Sequence, residues 1–167
     1  MKLFRQIALS ALVTVGIFSA VLYTSCSKDA CKGVTCNNGG TCSGGTCTCT
    51  TGYKGVHCDT TWNAAIIASY SISETCTPPT TGGTYNSAIT ASSTNTTTGF
   101  IISNFGNSGG SATGTVDANG NITIPAQTVS GVAVTVSQAT ITGNVLTITY
   151  AFTSGTAYTC TMIMTKQ

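Results

Sequence analysis

The sequence predicts an all-β protein with two parts: a small disulfide-rich module, and an antiparallel β-domain folded as a meander barrel or a sandwich. Two observations predict this class. Six of the nine cysteines fall between residues 31 and 58. The chain that follows them consists of short runs in which apolar and polar residues alternate, separated by glycine-containing turns. No segment longer than about ten residues has helical periodicity.

The charge of the chain excludes several classes of function. Only 6% of its 167 residues are charged, 41% are hydrophobic, and the formal net charge is +2. Nucleic-acid binding requires clustered Lys and Arg, which this sequence lacks. The mean hydropathy of +0.28 is too high for a disordered, solvating chain. We therefore expect folded domains and no nucleic-acid partner.

The first residues have the pattern of an export signal. Lys2 and Arg5 precede an uncharged run of 17 residues, from 7 to 23. That length is long for the apolar region of a secretory signal and short for a membrane-spanning helix. An ordinary secretory signal cleaved near Ala20 is one interpretation.

A second interpretation is a lipoprotein signal. Leu22, Ser25 and Cys26 resemble the processing site of bacterial lipoproteins. The SCSKD run at 25–29 is similar to the corresponding run of Bacteroidota lipoproteins. The resemblance implies a signal peptide over 1–25, a diacylglyceryl group and fatty-acyl chains on Cys26, and a lipidated linker over 26–30. It also implies an envelope location at the outer membrane, with the cell surface as the alternative. The membrane is then a partner through the lipid anchor. An odd number of cysteines supports this interpretation, because removing Cys26 leaves eight to pair.

The next segment has the spacing C-x4-C-x5-C-x4-C-x-C-x8-C over residues 31–58. So many cysteines in a short exported segment indicate a disulfide framework that replaces an apolar core. Zinc is the poorer alternative, because the paired C-x2-C spacing of zinc sites is absent. The spacing alone permits many different pairings.

The runs CNNGGTC and CTCTTGYKGVHC resemble an EGF-like module, whose characteristic ending is matched by Cys47, Cys49, Gly52, Tyr53, Gly55 and Cys58. The resemblance implies pairing of the first cysteine with the third, the second with the fourth and the fifth with the sixth: Cys31–Cys42, Cys36–Cys47 and Cys49–Cys58. Calcium-binding members of this family place several carboxylate or amide ligands before the first cysteine. Here Asp29 is the one carboxylate at that place, so we expect no metal.

Residues 59–63 form a joint, and residues 64–167 are predicted to form the antiparallel β-domain. Period-two alternation at 66–73, 145–152 and 158–164 is typical of half-buried antiparallel strands. Further strands are predicted near 85–92, 98–105, 111–117, 121–124 and 128–142. Turns are predicted at 119–120, as a type I′ hairpin, and at 143–144 and 154–155.

The opening ASYSISETC and the closing YTCTMIMTK of this domain resemble small lipocalin-like domains that follow EGF-like modules in Bacteroidota lipoproteins. Cys76 and Cys160 are the two cysteines that remain, and each shares the parity of the apolar face of its strand. In a meander that closes, the first and last strands are neighbours. The sequence therefore predicts a fourth bridge, Cys76–Cys160.

Residues with catalytic chemistry are scarce after Cys58. The charged ones are Asp59, Glu74, Asp117 and Lys166, and there is no histidine. General acid–base catalysis needs a titratable pair held together. A pairing of Glu74 with Asp117 is the one alternative left, but Asp117 precedes an Asn-Gly turn, where an aspartate usually bonds the backbone. We predict no enzyme, no catalytic residue and no cofactor.

The sequence thus favours an envelope-anchored, non-catalytic binding or adhesion protein whose partner is an unknown protein or glycan. One alternative is a carrier of a small apolar ligand, with a barrel pocket lined by Tyr70, Tyr150, Phe152, Tyr158 and Met162; another is a purely structural envelope component. Residues 59–61, Asp-Thr-Thr, resemble an O-glycosylation site used in Bacteroidota, with Thr60 as the acceptor.

Overall fold

In a computed structural model of the protein, residues 29–79 and 82–167 are described. These ranges contain thirteen β-strands, two short 3-10 helices, η1 (Trp62–Ala65) and η2 (Phe105–Asn107), and no α-helix, so the predicted all-β class is confirmed. Within the same ranges no helix is long and apolar enough to cross a membrane. The predicted signal peptide and Cys26 lie outside the described residues.

Disulfides hold the N-terminal module together. Its hairpin pairs β1 (Thr41–Ser43) with β2 (Thr46–Thr48) and places Cys42 directly opposite Cys47. Each of these cysteines is bonded back to the segment that precedes the hairpin. The bridges join Cys31 to Cys42, Cys36 to Cys47 and Cys49 to Cys58, with Cα–Cα distances of 5.9, 5.6 and 5.3 Å. These are the pairings that the family resemblance implies.

Two short strands and η1 join the module to the β-domain. β3 (Tyr53–Lys54) pairs antiparallel with β4 (Thr60–Thr61), and η1 follows directly. The indole N–H of Trp62 donates to the Tyr53 carbonyl at 3.0 Å, and its ring packs against the core of the β-domain. Trp62 therefore contacts both parts of the chain.

Asn63 fixes the same joint from inside. Its side chain is fully buried, and its amide donates to the carbonyls of Thr96 (3.1 Å) and Gly99 (2.7 Å). Its side-chain oxygen accepts a bond of 2.8 Å from the Thr61 hydroxyl. A buried amide is tolerated only when its donors and acceptor are paired, and here each is, so the threonine-rich loop before Gly99 is bound to the joint.

Nine strands form one antiparallel sheet. They are β5 (Ala68–Thr77), β6 (Gly83–Ala91), β7 (Gly99–Ile102), β8 (Ala112–Val116), β9 (Ile122–Thr123), β10 (Gln127–Val129), β11 (Val132–Thr142), β12 (Val145–Ser154) and β13 (Thr156–Lys166). Their order in the sheet is β10-β11-β12-β13-β5-β6-β7-β8-β9. The sheet curls into a half-barrel around one core.

The first and last strands of the β-domain are neighbours, as a closing meander requires. β13 pairs with β5, and Cys160 lies opposite Cys76. A disulfide joins them, with Cα atoms 4.0 Å apart. The sheet is open elsewhere, because β9 and β10 follow one another along the chain but are its two edges.

The side chain of Gln127 bridges this open seam. Its Oε1 accepts the Thr113 N–H at 2.8 Å, and its Nε2 donates to the Thr113 carbonyl at 2.9 Å. The side-chain amide thus pairs with an edge residue of β8 as a neighbouring strand would. Pro125, just before it, has no N–H for a sheet ladder. The predicted barrel is therefore a half-barrel whose seam is joined by a side chain.

The inner face carries the apolar members of each period-two run. The largest side chains with almost no exposure include Tyr70, Ile72, Phe100, Phe105, Ile148, Met162 and Met164. They come from the beginning, the middle and the end of the domain sequence, and the pairing of β5 with β13 brings the two ends into the same core. Burying each such side chain contributes about 1.5–3 kcal/mol.

Two local predictions are corrected. The strand predicted over 128–142 is two strands, β10 and β11, separated by a turn in which Ser130 (φ 48°) and Gly131 (φ 83°) are both left-handed. The turn at 119–120 is not type I′, which needs positive φ at both central residues. Gly120 has φ 85° but Asn119 does not have positive φ, and the Gly120 N–H bonds the Asp117 carbonyl at 3.1 Å.

Candidate functional site

The half-barrel has two different ends, which we name the joint end and the open end. The joint end carries η1 and the turns at 117–121 and 143–144. Its contacts include the bond from the Lys166 N–H to the Asn144 carbonyl (2.9 Å). The open end carries the turns at 130–131 and 154–155 and the loop 103–110, and the Ser130 hydroxyl donates to the Ser108 carbonyl there (3.0 Å). The clefts with aromatic walls lie at the open end.

A row of aromatic rings lines the open end. The Phe105 and Tyr150 rings are tilted, with centroids 4.8 Å apart. Tyr150 stacks on Phe152 at 6.1 Å, and Phe152 stacks on Tyr158 at 5.0 Å. Phe152 lies opposite Tyr158 on adjacent strands, so the period-two pattern and the β12–β13 register place both rings on the inner face. Tyr150 is buried, whereas Phe152 and Tyr158 are half-buried.

A buried carboxyl group lies at the base of this row. Glu74, on β5, is only 6% exposed. Its Oε1 accepts a hydrogen bond from the Tyr150 hydroxyl, and its Oε2 accepts one of 3.2 Å from the Tyr85 hydroxyl. Tyr85 lies on β6, so three strands bring this acid and two phenols together. No buried side-chain polar atom in the described part of the chain lacks a hydrogen-bond partner.

The two phenols are held in their neutral form. Burial raises the pKa of Tyr150, and the hydrogen bond to Glu74 and its negative charge raise that pKa further. Burial also raises the pKa of Tyr85, followed by the charge and the hydrogen bond of Glu74, while backbone N–H groups of η2 act in the opposite direction. Both hydroxyls therefore remain donors to the carboxylate at neutral pH.

Two adjoining clefts open beside these residues. The first, of about 100 Å3, is mainly apolar; its walls include Phe105, Val129, Val132 and Val134. The second, of about 230 Å3, is mainly polar; its walls include Glu74, Ser154 and Tyr158. Both clefts share Gly106, Tyr150 and Phe152, and their combined volume lies at the lower end of the range typical of small-molecule sites.

Gly106 shapes the boundary between the clefts. It has φ +60°, a conformation that side-chain-bearing residues rarely adopt, and a Cβ there would lie 2.7 Å from the Tyr150 hydroxyl oxygen. Glycine at this position therefore lets η2 approach the Tyr150–Glu74 hydrogen bond. No sequence motif marks it as a site residue.

The structure divides the residues predicted to line a pocket. Tyr150, Phe152 and Tyr158 come together at the open end, as expected. Tyr70 and Met162 do not reach these clefts, because both are packed in the core with 1% and 0% exposure, and the Tyr70 hydroxyl donates to the Ile66 carbonyl (2.8 Å) near the joint end. The barrel interior is occupied by its own side chains, and the clefts lie at its mouth.

Glu74 and Asp117 do not form a pair. Asp117 Oδ1 accepts the backbone N–H groups of Asn119 (2.8 Å) and Asn121 (2.9 Å), and its Oδ2 accepts the Asn121 side-chain amide (2.7 Å). These bonds lower the pKa of Asp117, the Asn121 side-chain bond most strongly. Asp117 therefore organises its turn at the joint end, and Glu74 has no acidic partner for acid–base chemistry.

Glu74 also lies beside the domain disulfide. One carboxylate oxygen and the sulfurs of Cys76 and Cys160 lie within 4.8 Å of one another. Because both sulfurs are committed to the bridge, the cluster offers a metal ion the carboxylate alone. A structural or catalytic metal needs several ligands, so this cluster is no metal centre.

The remaining residues singled out in the sequence lie in or near the module. Asp29 Oδ1 accepts the Cys31 N–H at 3.0 Å, so this carboxylate is already bound to the backbone. Thr60 is exposed on β4, and its hydroxyl donates to Asp59 Oδ1 at 3.2 Å. The ring Nδ1 of His57 lies 3.1 Å from the Thr35 carbonyl.

The open end was only partly predictable. Tyr85 shares the parity of the inward residues Ser87 and Ile89, which could have marked it as inward-facing. Phe105 and Gly106 belong to an irregular loop with no periodic signal.

Comparison of the chain with protein-family models finds no match, and comparison with curated proteins finds none.

Proposed function

We propose that this protein is an envelope-anchored bacterial lipoprotein of Bacteroidota type that acts by binding and not by catalysis. In this proposal the lipid on Cys26 holds the chain at the outer membrane. The EGF-like module over residues 31–58 is a disulfide-stabilised spacer. The lipocalin-like half-barrel is the binding domain, and its partner carries the chemistry that fits the open end.

One observation carries the proposal: the clefts lie at the end of the half-barrel opposite the joint. The module enters through Trp62 and Asn63 at the joint end, whereas Glu74, Phe152 and Tyr158 line the open end. A chain anchored ahead of its module would therefore direct the open end away from the membrane. This is the orientation that a protein needs to meet a partner in solution or on another surface.

The chemistry of the open end supports binding over catalysis. Glu74 is tied to two neutral phenols, and residues 59–167 contain no histidine and no free thiol. A positioned nucleophile with a base needs at least two such groups. An aromatic wall with one carboxylate is instead suited to recognising a ligand.

A carrier of a purely apolar ligand is the second candidate, favoured by the apolar cleft beside Val132 and Val134. Its volume of about 100 Å3 is small against the 300–1,000 Å3 or so of typical ligand sites. The purely structural alternative does not account for a buried carboxyl group at the edge of an open cleft. We therefore rank binding at the open end first.

The test uses fractionation and surface labelling of cells that express the full chain. Cys26→Ala should abolish acylation and either release the protein from the membrane fraction or leave it there as an uncleaved precursor, because the lipid is the proposed anchor of the mature chain. Retention of a processed Cys26→Ala chain in the membrane would overturn the proposal. A matched Cys76→Ala/Cys160→Ala variant alters cysteines of the β-domain and should stay membrane-bound.

A second arm locates the anchored protein. Lys32 and Lys54 are exposed in the module, so a membrane-impermeant amine reagent should label them on intact cells if the protein faces outward. Labelling only after lysis would assign the inner leaflet side. Lys32→Arg with Lys54→Arg is the control for the peptides that contain these residues, because it retains charge and removes both target amines while Lys28 and Lys166 stay reactive. Protease digestion of intact cells would test independently whether the protein is exposed at the surface. Mass spectrometry of the peptide that contains Thr60 would test the proposed glycan.

A further inference from the structure

Within the described residues, the Glu74 carboxyl group has two tyrosine hydroxyls and no cationic side chain as hydrogen-bond partners. From residue 59 onward the sequence contains one cation, Lys166, and its Nζ lies 3.4 Å from the Ala65 carbonyl at the joint end. Buried charges in proteins are usually paired with an opposite charge. The Glu74 side chain is 6% exposed, and two neutral tyrosine hydroxyls stand where an opposite charge would be expected.

The carboxylate retains capacity for a further donor. An ionised carboxylate offers about four lone-pair positions, and Tyr150 and Tyr85 occupy one on each oxygen. Glu74 lines the polar cleft of about 230 Å3. A donor that enters this cleft from the open end therefore approaches the carboxyl group.

The walls around this position are aromatic. Tyr150, Phe152 and Tyr158 line the same cleft as Glu74. Aromatic faces attract ammonium groups by about 0.5–2 kcal/mol each when the cation is within about 6 Å of the ring centre. Within the row, however, Phe152 stacks on Tyr150 and on Tyr158, so the carboxylate is the main feature of this cleft that favours a cation over an anion.

The neighbouring apolar cleft limits the rest of the ligand. It shares Tyr150, Phe152 and Gly106 with the polar cleft, so the two clefts adjoin at these residues. A ligand with its charged head at Glu74 has room for a short apolar tail beside Val132 and Val134. A bulky or highly polar tail would be excluded by a space of about 100 Å3.

We propose that the open end binds a small organic ammonium ligand, with its charged nitrogen at the Glu74 carboxylate, its body beside Tyr150, Phe152 and Tyr158, and its apolar tail in the adjoining cleft. This inference rests on the proposed binding function and names the ligand class for it. A neutral ligand of the same shape would lose the charge interaction, and a carboxylate ligand would be repelled.

The test compares three probes of nearly equal size by isothermal titration: 2-phenylethylammonium, 2-phenylethanol and phenylacetate. The protein is the full mature chain in a non-ionic detergent, because zwitterionic detergents carry quaternary ammonium groups. We expect 2-phenylethylammonium to bind at least about tenfold more tightly than 2-phenylethanol, and phenylacetate not to bind. A tenfold ratio corresponds to about 1.4 kcal/mol, just below the 1.5–3 kcal/mol or so of a hydrogen bond to a charged group.

Two variants assign the effect to the site. Glu74→Gln keeps the size of the side chain and should reduce ammonium affinity about tenfold, so that the preference for 2-phenylethylammonium over 2-phenylethanol disappears. Phe152→Leu, at a half-buried ring, should weaken the ammonium by about threefold or more. Asp59→Asn removes an exposed carboxylate near the joint and should change nothing.

The proposal is overturned if the ammonium and the alcohol bind equally, if no probe binds at millimolar concentration, or if Glu74→Gln leaves ammonium affinity unchanged. If the Glu74→Gln variant does not fold, two measurements still test the proposal. They are the ratio of the ammonium and alcohol affinities on the native chain and the ammonium affinity of the Phe152→Leu variant. Tighter binding of the alcohol would assign a neutral, hydroxyl-bearing ligand instead. These measurements use purified protein, so their failure leaves the cell-fractionation result on the anchor untouched.

Discussion

The Cys76→Ala/Cys160→Ala variant should have a lower free energy of unfolding of the β-domain than the native chain. The loss should be close to the entropic free energy that the bridge contributes by closing a loop in the unfolded chain. The bridge spans 84 residues and joins the first strand of the domain to the last. Without it, these strands must find each other from opposite ends of a flexible chain. The double substitution avoids the free thiol that either single change would leave.

The magnitude follows from the loop length. The chain-entropy relation gives about 15 cal/mol/K for a loop of 84 residues, or about 4.6 kcal/mol at 25 °C. Unfolding entropy near the midpoint is about 0.2 kcal/mol/K for a domain of about 100 residues. The expected fall in Tm is therefore about 20 °C, against a total stability of about 5–15 kcal/mol for an ordinary domain.

Thermal unfolding of the mature chain, followed by far-ultraviolet circular dichroism, measures this change. Trp62, the single tryptophan, separately reports the joint. The control variant is Thr75→Ala with Thr161→Ala, a directly opposed pair on the same two strands but on the outer face. It should shift the free energy of unfolding by no more than about 1 kcal/mol.

A Tm for the Cys76→Ala/Cys160→Ala variant within about 4 °C of the native value would refute the reasoning. It would mean that the pairing of β5 with β13 does not depend on the bridge, and that the unfolded chain already keeps these strands close. An equal loss in the threonine control would instead assign the effect to the strand pair itself.

Three further predictions concern other parts of the chain. Added calcium or a chelator should leave the Tm of the module unchanged, because Asp29 already accepts the Cys31 N–H and calcium needs about six to eight oxygens; a chelator-sensitive Tm would contradict this. Burial and the nearby Glu74 raise the pKa of Tyr85 and Tyr150, so the stability that these two neutral phenols contribute is complete below the unfolded-state pKa of about 10 and is lost as pH rises above it. The Tm should therefore fall steeply above about pH 10. An equally steep fall in the Tyr85→Phe variant would argue against this explanation. Gly52→Ala should loosen the joint and red-shift Trp62 fluorescence, because the new Cβ at φ +94° would lie 2.8 Å from the Thr97 Cβ. Gly33→Ala, at φ +83° in open space, is the control and should leave the fluorescence unchanged. Identical spectra for the two variants would disprove the contact.

The strands of the second half were predictable because their period-two pattern is strong and their turns are short. The alternation in 145–152 and 158–164 predicts β12 and β13, and the shared parity of Cys76 and Cys160 predicts their bridge. The Ser-Gly turn at 130–131 is the same dipeptide as at 154–155. The valine alternation changes phase at this turn, from Val129 to Val132 and Val134, and that change is the sequence signal for two strands.

The opening of the barrel and the content of its mouth could not be predicted in the same way. Whether β9 and β10 pair depends on strand length and stagger around the whole sheet, and β9 is only two residues long. Glu74 and Tyr150 are 76 residues apart in the chain. Their contact follows from the β5–β13–β12 order, which parity alone does not give. The loop that supplies Phe105 and Gly106 has no repeating pattern, so its place against Tyr150 is a product of tertiary packing.

The most direct test of the account is mass spectrometry of the N-terminal peptide of the protein extracted from the cell envelope. If the chain is an anchored lipoprotein that holds its open end away from the membrane, the first residue is Cys26, with a diacylglyceryl thioether and an acylated amine. A chain that begins near residue 21, with Cys26 unacylated, would contradict the anchor and with it the proposed orientation of the binding cleft.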